Sequence, residues 1–265
     1  MKIAILVENT SSRDDCVSEF GLSFFIEANG RRVLFDAGQT GKIVDNAQVL
    51  DVDLESVDTC VLSHGHYDHA NGFPSFFQIN GHAPLYVRSG FDSDFWAERG
   101  DFIGVTRELV GSDRVVVLEQ ERFDLGDGFT ILSYAHCEPT FPIEPFGLYR
   151  KEAGTLFPDD FLHEQYLLVV EGTTRLLVSG CSHRGIRNIL RWSANEAPTH
   201  VLGGFHFMKV SVDDATYLDS AADDLLLFPV TYMTCHCTGL EQYQYLKKSM
   251  EERLDYVATG RVIEI

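Results

Sequence analysis

Strand-like apolar runs occupy about 2–8, 22–28, 32–36 and 57–62, and a helical spacing of apolar positions falls near 40–50, between the last two. Farther on, 71–79 and 91–97 read as short helices, and 84–88, 115–119 and 129–134 as strands. From about 137 to 163 no period holds. Pro139, Pro142, Pro145 and Pro158 are scattered there among aromatic residues, which predicts a long loop or lid. Regular alternation then returns, with strands at 165–171 and 174–179, helix 185–195, strand 199–204, helix 213–226, strand 229–234, helix 240–253 and strands at the end. A β-rich half followed by β/α alternation suits two sheets packed face to face with helices on both outer sides. The expected fold is α/β, a four-layer αββα sandwich.

The 265 residues, 45% of them hydrophobic, are enough for one large domain over 1–265 with a sizeable core. Every apolar run stops well short of the roughly 18 residues that span a bilayer, and the amino terminus starts directly on a strand, so membrane and secretory readings gain no support. Forty acidic against 21 basic residues leave a formal charge of −19, which opposes nucleic acid and anionic membrane as partners. Cys16, Cys60, Cys137, Cys181, Cys235 and Cys237 show no dense disulfide spacing, and a reducing cytoplasm is the simplest home for them.

Chemistry concentrates at Ser63-His64-Gly65-His66-Tyr67-Asp68-His69, directly after the apolar run at 57–62. Imidazole nitrogen and carboxylate oxygen are donors for zinc, iron and manganese. His64 and His66, two apart on extended chain, face the same side and can share one ion. Asp68 and His69 lie past a turn, where Asn71-Gly72 supplies the turn chemistry, and their donors can reach a second position a few ångströms away. Two metals side by side are expected, zinc first among the candidates.

A His-x-His-x-Asp-His motif after an apolar strand resembles the hallmark of the metallo-β-lactamase fold superfamily. Val33-Leu34-Phe35-Asp36-Ala37-Gly38 resembles its early strand ending in Asp-x-Gly, which implies that Asp36 braces the metal loop from behind its ligands. Gly180-Cys181-Ser182-His183-Arg184-Gly185, Gly203-Gly204-Phe205-His206 and His236-Cys237-Thr238-Gly239 resemble a narrower subgroup, similar to the dihydropterin-ribofuranosyl-aminobenzene phosphate synthase of methanopterin biosynthesis. The resemblance runs from about residue 2 to 265 and implies the sandwich fold with a metal centre where strands end.

On that resemblance Cys181 stands where the superfamily usually has a bridging Asp, and a thiolate there can bind or bridge; the alternative is a buried inert thiol. His183 can complete the site begun by His64 and His66, or lie behind it. His236 falls where related enzymes carry the late ligand of the second metal, beside Asp68 and His69, unless it caps the following helix. Cys235 and Cys237 are read as structural. His206 is open between a catalytic or substrate contact, a ligand and a structural role, and His136 is a reserve ligand. Arg184, Arg187 and Lys209 are read as solvated charge, with contact to an anionic substrate as the alternative, and His82, His163 and His200 as core or surface residues.

These residues support metal-assisted hydrolysis of a small, anionic ester, phosphoester or lactone. Bound water would have its pKa lowered to near 7, Asp68 would orient the hydroxide, and His206 would protonate the leaving group. The rivals are a dihydropteroate-synthase-like transferase joining a pterin diphosphate to an arylamine, a di-iron redox protein, and a metal-binding sensor without catalysis.

Overall fold

The computed structural model describes residues 1–214 and 216–265. The first half runs β1 (Lys2–Val7), β2 (Ser23–Ala28), β3 (Arg31–Phe35), α1 (Lys42–Val49), β4 (Thr59–Val61), α2 (Tyr67–Ala70), α3 (Phe73–Ile79), β5 (Leu85–Arg88), β6 (Phe95–Ala97), α4 (Arg107–Val110) and β7 (Val115–Leu118). The second half follows with β8 (Arg122–Gly126), β9 (Phe129–Leu132), β10 (Leu148–Glu152), β11 (Thr155–Pro158), β12 (Tyr166–Glu171), β13 (Thr174–Val178), α5 (Ile186–Trp192), β14 (His200–Gly203), α6 (Thr216–Leu226), β15 (Thr231–Thr234), α7 (Leu240–Met250), β16 (Leu254–Tyr256) and β17 (Val262–Glu264). The expected start of the sixth helix at 213 includes Ala215, which lies outside the described residues.

Two seven-stranded sheets, ordered β17-β1-β2-β3-β4-β5-β7 and β16-β15-β14-β13-β12-β9-β8, form the body. Side chains alternate faces along a strand, and both faces are covered, which is why the strands read as near-continuous apolar runs. Ile3, Ile5, Phe24 and Phe35 of one sheet meet Phe129, Leu167, Leu176 and Leu202 of the other in a central core. Their neighbours Ala4, Leu6, Phe25 and Leu34 turn outward onto Ile43 of α1 and Phe73 and Phe76 of α3. On the far side Tyr166, Leu177 and Val201 pack against Ile189 of α5, Leu218 of α6 and Leu246 of α7. These four layers are the αββα sandwich.

Within each sheet the strands nearest the site are parallel, β3 to β4 to β5 in one and β13 to β14 to β15 in the other. Their carboxyl ends gather on one edge, where ligands bind in open α/β sheets.

Two expectations give way there. The segment 91–97 is not a helix: Phe91 and Phe95 are spaced like one helical face, but Phe95–Ala97 pairs antiparallel with β10, and that tertiary pairing overrides the local spacing. The aperiodic stretch 137–163 is not loop throughout. It holds the hairpin β10–β11, turning at Ala153 (φ 47°) and Gly154 (φ 88°), which with β6 makes a three-stranded strap over the site. An Ala-Gly turn lacks the Asn-Gly signal that announces such hairpins. Strand β8 and helix α4 also went unread; β8 is short, largely solvent-facing and carries a bulge. Among the described residues no helix is long and apolar enough to cross a membrane.

Candidate metal centre

The loop after β4 is wired to the end of β3. Asp36, in the left-handed region at φ 57°, accepts at Oδ1 from the Ser63 N–H (2.7 Å) and at Oδ2 from the Ser63 hydroxyl (2.7 Å), and Oδ2 lies 2.7 Å from His69 Nδ1. The Ser63 hydroxyl is also 2.8 Å from His64 Nδ1. The outer nitrogens of His64 and His69 are thereby engaged, which turns both Nε2 atoms inward. Gly65 lets the loop pass the Phe91 carbonyl: a Cβ there would sit 1.9 Å from that oxygen.

Strand ends of the second sheet supply the rest. After β13, Cys181 Sγ comes within 3.2 Å of His69 Nε2, and His183 Nε2 within 3.2 Å of His64 Nε2. The His183 ring lies flat on Phe161, and buried Glu164 accepts the His183 and Arg184 N–H groups (2.7 and 3.1 Å). After β15, His236 Nδ1 pairs with Asn9 Oδ1 (2.8 Å), and the His236 N–H donates to Glu8 Oε1 (2.7 Å). His236 Nε2 then lies 3.3 Å from Asp68 Oδ2. Residues just beyond β1 thus hold a histidine more than two hundred positions away.

Ligand atoms of His64, His66 and His183 lie within 4.8 Å of one another, as do those of Asp68, His69 and His236. His64, His69 and Cys181 link the two groups, and Cys181, His236 and Cys237 form a further one. Nitrogen and oxygen donors held at about 2.0–2.1 Å from a shared ion at tetrahedral angles stand roughly 3.3 Å apart, close to the 3.2 Å between His183 and His64 and the 3.3 Å between His236 and Asp68. Among the described residues His236 Nε2 is buried with no hydrogen-bond partner, which leaves its lone pair available to an ion.

Electrostatics agree with that fit. Burial holds the His64 and His183 imidazoles well below their ordinary pKa, in the neutral form that binds metals. Burial alone would raise Asp68, but the imidazoles of His69 and His236 keep it below the usual carboxylate range. Asp68 in turn lifts His236 against its own burial. Burial pushes the Cys181 thiol far up, and a cation is what makes its thiolate the stable form.

Other expected residues fall differently. His206, at the end of β14 with φ 56°, belongs to none of the ligand groups; its ring stands 4.3 Å from that of His183, facing the cavity, and burial lowers its pKa to about 3. His136 is exposed on a separate cavity of about 450 Å³ and belongs to no ligand group either. Arg184 is not solvated: it is buried, donating to the carbonyls of Asp160 and Cys137 away from the centre. Arg187 lies over the Phe141 ring and pairs with Asp224, whereas Lys209 is exposed at the cavity mouth. Cys235 is buried in the central core, but Cys237, read as structural, brings Sγ into the ligand cluster, because the short 3-10 turn His236–Thr238 breaks the extended geometry that would have aimed it elsewhere. Asp159 and His163 stand beside His66 and carried no sequence signal, since they come from the aperiodic stretch.

A cavity of about 550 Å³ opens over the centre, between the strap and the strand ends, with Phe20, Ile103, Leu148 and Met208 as apolar walls and Arg99 and Lys209 as cations.

The chain belongs to the metallo-β-lactamase superfamily, whose sequence profile matches residues 18–182, more than half of its length. It is 29% identical over 272 residues to an uncharacterized protein of Methanocaldococcus jannaschii, covering 99% of this chain and all of the relative. A second protein of that organism, named 7,8-dihydropterin-6-methyl-4-(β-D-ribofuranosyl)-aminobenzene-5'-phosphate synthase, is 27% identical over 93% of this chain and 90% of its own. A solved structure described as a metal-dependent hydrolase of the β-lactamase superfamily superposes with a TM-score of 0.84 at 26% identity, covering 100% of this chain and 99% of that one.

Proposed function

We propose that this superfamily member is a metal-dependent hydrolase acting on a small, anionic ester, phosphoester or lactone. The observation that carries the reading is the pair of adjoining donor groups, His64/His66/His183 and Asp68/His69/His236, with Cys181 between them, at the floor of a cavity of ligand size. One or two divalent ions, zinc first and iron or manganese with the same donor set, supply an activated water and polarise the substrate oxygen when bound. Asp68 Oδ2 faces His69 and His236, leaving Oδ1 to accept a hydrogen bond that orients the attacking water. His206, held neutral by burial, presents an N–H to the leaving group; an incoming anion raises its pKa toward the range where it transfers a proton. Arg99 and Lys209 meet the anion at the mouth, and the apolar walls exclude water from the rest.

Six free cysteines suit a reducing cytoplasm, and the net charge of −19 disfavours nucleic acid as substrate. The test is turnover on a panel of p-nitrophenyl esters, phosphodiesters and lactones, before and after chelation and zinc return. Metal-dependent turnover that falls at least 100-fold in Asp68→Asn supports the reading. Tight zinc binding with no turnover on any member of the panel favours a sensor and sinks it.

A transferase reading has support in the synthase name of the relative that is 27% identical over 93% of this chain. Incubation with a pterin diphosphate and an aminobenzoate derivative, followed by mass spectrometry, separates the two: a metal-dependent adduct favours transfer, and its absence removes that reading.

A further inference from the structure

We infer that Asp159 and His163 form a bracket that orients His66 for metal binding and ties the strap to the metal loop. The inference rests on the metal reading above and concerns residues that the reading does not use.

The chain of contacts runs from loop to strap and back. The Gly65 N–H, lying between the two histidines of the motif, donates to His163 Nδ1 (3.0 Å). A neutral imidazole accepting at Nδ1 carries its proton on Nε2. That Nε2 lies 3.3 Å from Asp159 Oδ2, and the same oxygen is 3.8 Å from His66 Nε2. The Phe161 N–H fixes the other oxygen, Oδ1, at 2.9 Å. Side chains of Asp159, His163 and His66 are at most 5% exposed, so the carboxylate has no water to turn to.

Among the described residues His66 Nε2 is buried without a hydrogen-bond partner, Asp159 Oδ2 lying 3.8 Å away. A small ring rotation closes the gap and makes Nε2–H a donor to Asp159, which leaves Nδ1 as the nitrogen for an ion shared with His64 and His183. A carboxylate behind a ligating imidazole fixes its tautomer and raises its basicity. Asp159 does so for His66 as Asp36 does for His69, from the opposite side of the loop. It also sits at the end of the hairpin, where its N–H donates to the carbonyl of the cavity-lining Leu148 (3.1 Å). Strap and metal loop are therefore joined through Asp159 and His163.

Asp159 and His163 are positioning residues, and the readout is binding of zinc alone, by competition with a chromophoric chelator and by elemental analysis. Asp159→Asn keeps the shape and loses the charge. His163→Asn keeps an acceptor for the Gly65 N–H and loses the contact to Asp159. Both are expected to weaken zinc at the His64/His66/His183 position 10- to 100-fold with stoichiometry unchanged, and to alter the ligand-field spectrum of the cobalt-substituted protein. Asp160→Asn, next door and partly exposed, is the control and is expected to bind zinc as the parent does. Far-ultraviolet circular dichroism and thermal melts accompany each variant; should Asp159→Asn not fold, His163→Asn decides alone. Parent affinity in the bracket variants overturns the inference. So does loss of a whole equivalent of zinc with the remainder bound at parent affinity, since Asp159 would then be the ligand of a separate ion. A parent protein that binds no divalent ion overturns the metal reading itself, a result distinct from failure of the bracket.

Discussion

Replacing Gly180 by alanine places a methyl carbon 2.2 Å from Ser63 Oγ and 2.6 Å from Ser63 Cβ. Gly180 does not use the left-handed backbone region, so alanine brings no torsional cost and the effect is purely one of space. Ser63 Oγ has to rotate away, giving up its bonds to Asp36 Oδ2 and His64 Nδ1, and because rotation leaves Ser63 Cβ in place the backbone at 63 has to shift as well. A hydrogen bond to a charged partner contributes about 1.5–3 kcal/mol and a neutral one about 0.5–1.5, so Gly180→Ala is expected to cost about 2–4 kcal/mol. That is a large part of the roughly 5–15 kcal/mol that stabilises a domain. Ser63→Gly alone gives up the same two bonds and costs a similar amount. In that background the nearest remaining atom to the added methyl is His64 Nδ1, at 3.1 Å, and its further cost is tenths of a kcal/mol. The two substitutions are therefore non-additive by about 2 kcal/mol or more. Urea unfolding of the metal-free parent, both single variants and the double variant measures this coupling directly. Costs that add to within about 0.5 kcal/mol, or a Gly180→Ala variant as stable as the parent, would refute the packing argument.

Removal of Asp36 as an anion, in Asp36→Asn, is expected to lower zinc affinity about 10- to 100-fold while leaving the far-ultraviolet spectrum unchanged; unaltered affinity by chelator competition counts against the brace. Zinc binding is expected to expel the proton that burial keeps on the Cys181 thiol, so calorimetry in buffers of different ionisation enthalpy detects about one fewer proton released in Cys181→Ser; equal release in both rules out a thiolate ligand. Metal-free protein is expected to lose stability as pH falls below about 6.5. His64, His66, His183, His200 and His206 have lowered pKa values in the folded chain, chiefly from burial, so the unfolded chain takes up protons first; His236, raised by Asp68, takes up its proton at higher pH in the folded chain and adds no slope below about 6.5. These roughly five protons set an upper slope of about 7 kcal/mol per pH unit, and a flat unfolding midpoint between pH 7 and 5 contradicts it.

The apolar runs foretold the two sheets because strands covered on both faces leave little room for polar residues, and the motif at 64–69 is compact enough to be read along the chain. Cys181, His183 and His236 were legible for a related reason: each follows an apolar strand, and parallel strands bring such ends to one edge. What stayed hidden depends on partners distant in sequence. Asn9 and Glu8 carry no mark of their contact with His236, and β6 exists only because β10 pairs with it. Asp159 and His163 lie in a stretch whose prolines and aromatics obscure a hairpin. Cys237 faces the cluster, against expectation, because a single tight turn changes which way a side chain points.

The support of His236 by Glu8 and Asn9 has a consequence for how the centre comes into being during synthesis. His64, His66, Asp68 and His69 leave the ribosome together, long before the chain reaches His183 or His236. At that stage the loop has donors for parts of both positions and a complete set for neither. The donor group of Asp68, His69 and His236 is assembled only when the fifteenth strand has docked and its histidine has found residues translated among the first ten. If the proposed metal reading holds, ion capture by the finished site is a late event in the life of the chain, and the early loop passes through translation with its donors only partly gathered.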